Sequence, residues 1–312
     1  MANYLVTGGC GFIGSHLCDR LLADGHRVRV LDNLSTGKRE NLAAGIELVV
    51  GDITDAALVR DALRGQDGCF HLAAVASVQR SVEDWVGTHA TNLSGTVAIL
   101  DAARHHGGLP VVYASSAAVY GANPDTPLGE SAATQPLSAY GADKLGCELH
   151  ARVATRLFAV PTTGFRIFNV FGPRQDPSSP YSGVISIFSQ RLARGQPITV
   201  FGDGLQSRDF VFVNDVVAHF ARAMETPAAE ERVFNLCTGR STTLLQLIAT
   251  LGELLNIEPS VRHEPARPGD IRISLGRPDL ARKALGIEAR TALKDGLAAT
   301  LASFGDALSP VA

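Results

Sequence analysis

Asn3-Tyr-Leu-Val-Thr-Gly-Gly-Cys-Gly-Phe-Ile-Gly14 decides the fold. Its first half, Asn3 to Thr7, is a short apolar run of the kind that forms a buried strand. Its second half holds a G-x-G-x-x-G at Gly9, Gly11 and Gly14, and Gly8, Gly11 and Gly14 share a second, even spacing. Apolar residues then recur at helical spacing through Leu22. Glycines between a strand and a helix permit a tight turn, close approach of the backbone to a pyrophosphate, and close helix–strand packing. The helix N-terminus then presents free N–H groups and the positive end of its dipole. Any glycine turn can mimic this pattern, so the context matters. Arg27-Val-Arg-Val-Leu31 reads as the next strand and runs into Asp32. An acid there binds both ribose hydroxyls and repels a 2′-phosphate, which favours NAD over NADP. Lys38 and Arg39 close by pull the other way.

The same alternation continues outward from this unit. Ile46-Glu-Leu-Val-Val50 is a third strand, followed by Gly51-Asp52-Ile53. Asp52 is placed to reach an adenine amine, or equally to cap a helix or close a turn. Gly68-Cys-Phe-His-Leu72 is a fourth strand, and the small Ala73 and Ala74 after it let a ligand approach the backbone. His71 belongs to the strand-end core. Ser77 and Arg80 lie on the following loop. A helical pattern spans Ala90 to Ala103, and Leu109-Pro-Val-Val-Tyr113 is a fifth strand leading to Ser115-Ser116. Thr162 to Phe168 is a further strand. Strands alternating with helices predict an α/β chain with a Rossmann-like doubly wound parallel sheet. Ligands in such sheets gather at the carboxyl ends of the strands. Serines there are well placed for a ligand and are also common as caps.

The turn-rich Pro177-Ser-Ser-Pro-Tyr-Ser-Gly183 marks where the chain leaves the sheet for a smaller mixed α/β C-terminal lobe. The expected division is a nucleotide domain of residues 1–168, joined again by 209–238, and a substrate lobe of 169–208 and 239–312. The lobe carries Arg208 and Arg267-Pro-Gly-Asp270. Two guanidinium forks suit a diphosphate, and each is also an ordinary salt-bridge partner.

Ser138-Ala-Tyr-Gly-Ala-Asp-Lys144 sets a phenol and an ammonium one helical turn apart on one face. A nearby ammonium favours a phenol's ionised form, and such a tyrosine acts as a general base near neutral pH. The plain alternative is a surface Tyr-Lys pair on an amphipathic helix. The dinucleotide fingerprint and the hydroxyl of Ser116 favour the catalytic reading.

Composition narrows the classes. The chain has 312 residues, of which 46% are hydrophobic, and a net charge of −3. That is enough apolar matter for a large core, and it gives no electrostatic case for nucleic acid. Met1-Ala-Asn-Tyr-Leu-Val runs straight into a strand, and no apolar stretch is long enough to span a bilayer. Five scattered cysteines without C-x-x-C spacing argue against structural zinc or any other metal and against a disulfide framework. A cytoplasmic location is expected.

These stretches together resemble one family. Thr7-Gly-Gly-Cys-Gly-Phe-Ile-Gly14, Gly51-Asp-Ile53, His71-Leu-Ala-Ala74, Ala114-Ser-Ser-Ala-Ala-Val-Tyr-Gly121, Tyr140-x-x-x-Lys144, Arg166-Ile-Phe-Asn-Val-Phe-Gly172, Ser207-Arg-Asp-Phe210 and Arg267-Pro-Gly-Asp270 are similar to the motifs of extended short-chain dehydrogenases/reductases. The branch resembled is the NAD-dependent sugar-nucleotide epimerase/dehydratase family, over nearly the whole chain. The resemblance implies Ser116, Tyr140 and Lys144 as the catalytic set. It implies an NAD site of Gly8, Gly11, Phe12, Ile13 and Gly14, with Asp32, Asn33, Asp52, Ile53, Leu72, Ala73, Ala74, Asn92, Ser115 and Phe168, besides Tyr140 and Lys144. A UDP-sugar would meet Ser77, Ser116, Asn169, Val184, Arg208, Arg267, Asp270 and Ser274.

Dehydratases of the family carry an acid after the hydroxyl, where this chain has Ala117 and Ala118, so a 4-epimerase is implied. The stretch 168–177, with Ser207-Arg-Asp-Phe210, resembles the bacterial UDP-N-acetylglucosamine 4-epimerases. Ser274 stands where glucose-specific members carry a bulky tyrosine, and Ala76 where they carry a lysine. Serine leaves room for an acetamido group. A UDP-glucuronate 4-epimerase, a 4-ketoreductase and a non-catalytic NAD-binding regulator are the rival readings. A homodimer through residues 90–104 and 140–157 is the family expectation.

Overall fold

The computed structural model describes residues 1–175, 183–266 and 269–304. Three strands, β1 (Asn3–Thr7), β2 (Arg27–Asp32) and β3 (Glu47–Val50), step outward to one edge of a parallel sheet. Three more, β4 (Gly68–His71), β5 (Val111–Ser116) and β6 (Thr162–Ile167), step to the other, where Arg232–Leu236 completes the sheet. The seven-stranded order is Arg232–Leu236, β6, β5, β4, β1, β2, β3. The chain reverses its direction of travel between β1 and β4, and in such sheets ligands bind beyond the strand ends at this point.

Both faces of the sheet are buried, which explains why its strands read as apolar runs. Val6, Val30, Phe70, Val112 and Phe165 point to one face and pack on Leu17, Cys18 and Leu21 of the Phe12–Ala23 helix and on Val216, Val217 and Phe220 of the Val213–Glu225 helix. Leu5, Leu31, Cys69, Val111 and Tyr113 point to the other. They pack on Val59 and Leu63, on Ile99 and Ala103, and on Cys147, Ala151 and Ala154 of helices Ala56–Leu63, Gly95–His105 and Ala139–Phe158. Each fully buried aliphatic or aromatic side chain contributes about 1.5–3 kcal/mol. Helices as short as Phe12–Ala23 are marginal in water by themselves, so this packing is what holds them.

β5 ends at Ser115-Ser116 as expected, with Ala114, Ser115 and Ser116 paired to Phe165, Arg166 and Ile167 of β6. Ser116 is therefore the last residue of a strand. The helix expected from Ala90 contains a π turn at Ala90–Ser94 before the regular Gly95–His105. Such turns often adjoin functional sites.

Beyond β6 the described strands outside the main sheet are short. Asn169–Phe171 pairs with Phe210–Phe212, Ile198–Phe201 with Val261–Glu264, and Ser207–Arg208 lies between Thr242–Thr243 and Ile273–Ser274. Among the described residues no helix is long and apolar enough to cross a membrane. All five cysteines are free and buried.

Candidate active site

The glycine turn is held open by contacts that no side chain could survive. Gly8 sits at φ +69°, and a Cβ there would lie 2.7 Å from the backbone nitrogen of Ala73. A Cβ on Gly14 would fall 2.1 Å from the carbonyl oxygen of Gly8. The Phe12–Ala23 helix starts at Gly11 with no side-chain cap and no acid in its first turn. The N–H groups of Phe12, Ile13 and Gly14 have no acceptor within the helix and face outward with the positive dipole end. Thr7 Oγ1 accepts the N–H groups of Leu72 and Ala73 and bonds His71 Nδ1 at 2.8 Å, tying the ends of β1 and β4 together. His71 also bonds Thr96 and is wholly buried. Burial, with Lys144 nearby, drives its pKa down to about 3, so it is neutral.

Asp32 is 7% exposed at the end of β2. Its Oδ2 accepts from Cys10 N at 2.9 Å and its Oδ1 from Leu34 N at 2.8 Å. Each oxygen keeps a lone pair, so the carboxylate both braces the turn and can still accept ribose hydroxyls. Asp52 Oδ1 closes a turn onto Thr54, and its Oδ2 accepts from Asn33 Nδ2 at 2.8 Å. Burial opposes its charge, but the bonds from Thr54 and Asn33 prevail and hold its pKa below the ordinary carboxylate value. Ile53 is core. Asn92, in the π turn, clamps Val75 through both its amide atoms and so shapes the loop after Ala73 and Ala74. The glycine cradle, the uncapped helix and the acid at β2 fit NAD.

Ser138 opens the Ala139–Phe158 helix by accepting Gly141 N at 3.1 Å, which sets Tyr140 in the first turn. The backbone N–H of Tyr140 is taken by Ser81 Oγ at 3.2 Å, from the neighbouring Val78–Glu83 helix. One turn on, Lys144 is buried. Its Nζ donates to Ala114 O at 2.8 Å and lies 6.0 Å from the centre of the Tyr140 ring. Ser116 Oγ accepts Ala118 N at 3.2 Å. Ser115 Oγ donates instead to Glu148 Oε1 at 2.5 Å, so only its backbone is left to face a dinucleotide. The Phe168 side chain is likewise committed to a small core with Tyr120 and Cys237.

On the lobe side, Ser274 stands in register with Arg208. Arg208 donates to Asp270 Oδ1 at 2.7 Å and to Ile271 O at 2.7 Å. Asp270 was expected among the residues that meet a UDP-sugar. In the structure it braces Arg208, and Arg267 lies outside the described residues. Val184 opens the Val184–Ala193 helix, and Ser77 caps the Val78–Glu83 helix by accepting Arg80 N.

Sequence reasoning missed Asp209. Fully buried, it accepts from Thr238 N, Thr238 Oγ1 and Gly239 N, while its backbone pairs with Asn169 and Ser274. It thereby joins two expected ligand contacts, Asn169 and Ser274, to the end of Arg232–Leu236. Its signal was visible as a carboxylate inside the apolar run Asp209-Phe-Val-Phe-Val213. Buried carboxylates are rare unless paired.

Comparison with known proteins agrees with this geometry. Residues 4–237 match the NAD dependent epimerase/dehydratase family. The chain is 40% identical to the UDP-glucose 4-epimerase of Mycolicibacterium smegmatis, over 96% of this chain and 97% of the relative. It superposes on the UDP-glucose 4-epimerase of Thermotoga maritima, solved with UDP-glucose, with a TM-score of 0.94 at 37% identity, covering 98% of this chain and all of the other. The UDP-N-acetylglucosamine 4-epimerase of Methanobrevibacter ruminantium, in complex with UDP-N-acetylmuramic acid, gives a TM-score of 0.91 at 35% identity, covering 97% and 98%. The glycine cradle with its acid at β2, and the Tyr140–Lys144 helix lying against the end of β5, are thus those of a member of the NAD-dependent epimerase/dehydratase family.

Proposed function

We propose that this chain is a UDP-sugar 4-epimerase that interconverts UDP-GlcNAc and UDP-GalNAc, and also accepts the UDP-glucose and UDP-galactose pair. The observation that carries it is Lys144, one helical turn after Tyr140, bonded to Ala114 O two residues before Ser116 ends β5, with no acid at Ala117 or Ala118. The names of the relatives support the reaction type.

Tyr140, as phenolate, removes the proton from the sugar O4. Ser116 hydrogen-bonds the same oxygen and steadies it as C4 becomes a ketone. Lys144 lies beside the Tyr140 ring and fixes that end of the helix to Ala114. NAD, when bound, supplies the acceptor for the C4 hydride and returns it. The ketone turns over in the pocket while Arg208, Asn169 and Arg267 keep the diphosphate tethered, and Tyr140 gives the proton back to O4 of the inverted centre. Alanines at 117 and 118 can serve neither as acid nor as base near C5 and C6, so elimination is not available.

Ser274 supports the N-acetylated pair. It is small, and its register beside Arg208, the residue assigned to the diphosphate, supports a place near the sugar. Residues 169–208 and 239–312 then act as the substrate lobe. The helices Gly95–His105 and Ala139–Phe158 would meet a second copy through Val97, Leu149, Val153, Leu157 and Phe158, all exposed. Buried, unpaired thiols suit the cytoplasm.

Incubation with UDP-GlcNAc, UDP-glucose and UDP-glucuronate tests the reading. Inversion at C4 of the first is expected, with weaker turnover of the second. Turnover of UDP-glucuronate alone would contradict it. Ser274→Tyr is expected to impair UDP-GlcNAc at least tenfold more than UDP-glucose, and equal effects on both would contradict the assignment of Ser274.

A further inference from the structure

Ser116 is flanked on both sides by residues that hold the same buried ion pair. Before it, Ser115 is 2% exposed and donates to Glu148 Oε1 at 2.5 Å. After it, Tyr120 closes the Ala117–Tyr120 turn and accepts from Arg166 Nη1 at 2.9 Å. Glu148 and Arg166 are joined at two points, Nε to Oε1 at 2.9 Å and Nη2 to Oε2 at 2.7 Å. A bidentate guanidinium–carboxylate pair is geometrically stiff. Burial works against the charge on Arg166, but the bonds and field of Glu148, with Tyr120, raise its pKa above the ordinary value and keep it ionised.

The carboxylate belongs to the catalytic helix. Tyr140, Lys144 and Glu148 follow one another at single-turn spacing and share a face. Lys144 grips Ala114 O and Glu148 grips Ser115 Oγ. Two consecutive residues of β5 are therefore pinned to the helix that carries the phenol, just before the strand ends at Ser116. A buried ion pair adds little net stability, because desolvation offsets most of the attraction. Its hydrogen bonds to the strand and the turn are a better account of its presence than stability is.

We propose that Ser115, acting through the Glu148–Arg166 pair, is a positioning residue that sets the Ser116 hydroxyl relative to the Tyr140 phenol. This rests on the epimerase reading and gives Ser115 a role other than touching NAD. A displacement of about 1 Å in such a pair is enough to cost on the order of a hundredfold in rate.

Ser115→Ala tests it, because Glu148 keeps both bonds from Arg166 and the fold stays intact. The variant is expected to lose about tenfold to a hundredfold in kcat. Its KM for the UDP-sugar, its NAD affinity by calorimetry and its melting temperature are expected to match wild type. In a Ser116→Ala background the same change is expected to cost nothing further, because the group being positioned is gone. Unchanged kcat, the same loss in both backgrounds, or a loss that appears in NAD affinity would each overturn the proposal. A crystal structure of the variant needs no activity. It is expected to show the Ser116 hydroxyl moved relative to the Tyr140 oxygen, and an unmoved pair overturns the proposal even if the epimerase reading itself fails.

Discussion

His71 is a residue whose neutrality follows from where it sits. It bonds Thr7 and Thr96 in a fully buried site, and its folded pKa of about 3 lies far below the ordinary 6.5. Above pH 6.5 neither the folded nor the unfolded chain protonates it. As the pH falls from 6.5 toward 3, only the unfolded chain takes the proton, so stability is lost through that window. Between pH 6.5 and 5 this amounts to about 2 kcal/mol from His71 alone. Burial lowers the pKa values of His16 and His219 as well, which adds in the same direction. Urea midpoints measured at pH 7, 6 and 5 are expected to fall steadily, and a flat series would contradict a buried neutral His71. Sequence reading put His71 in the core, but its partners are distant in the chain and could not be read. The same holds for Ser81 against Tyr140, for Asp209 against Thr238 and for Ser115 against Glu148. Each pair joins different elements, so only the assembled sheet brings it together.

At the scale of elements, the turn between β1 and the Phe12–Ala23 helix behaves as a unit. Gly14→Ala would drive a methyl against the Gly8 carbonyl and the Gly9 Cα, both of them backbone. The turn must open, and the helix N-terminus moves with it. NAD affinity is expected to fall by at least about tenfold, or about 1.4 kcal/mol, and the melting temperature by several degrees. Calorimetric titration and thermal melting measure both, and wild-type values for either would contradict the close packing of this turn. This element was fully legible from sequence, because its glycine spacing, strand and acid are local. The end of β5 was legible too, since its apolar run leads into Ser115 and Ser116, where pairing with β6 ends. The π turn at Ala90–Ser94 leaves no periodic mark, since it adds one residue to a turn that already reads as helix.

For the molecule as a whole, the unpartnered surface is the informative feature. Leu157 is 71% exposed and Leu149 51%, on a helix whose opposite face is core. An apolar stripe of this kind fits the proposed pairing with a second copy. Val153→Glu with Leu157→Glu, at the centre of the stripe, is expected to turn a dimer into a monomer in analytical ultracentrifugation without changing NAD affinity. A wild-type chain that sediments as a monomer would contradict the proposed pairing. The doubly wound parallel sheet was legible because helical patterns separate most of its strands, which leaves few topologies open. The lobe was not, because its strands are two to four residues long and carry no period.

The central claim is that the Tyr140 phenol is the proton acceptor at the sugar O4. The most direct measurement is turnover of UDP-GlcNAc by Tyr140→Phe, followed by proton NMR at C4, with NAD binding measured on the same sample. The expected result is a loss of turnover of at least about a thousandfold, in the range set by removing an acid–base group, with NAD affinity unchanged. Turnover close to wild type, with NAD equally bound, would contradict the account.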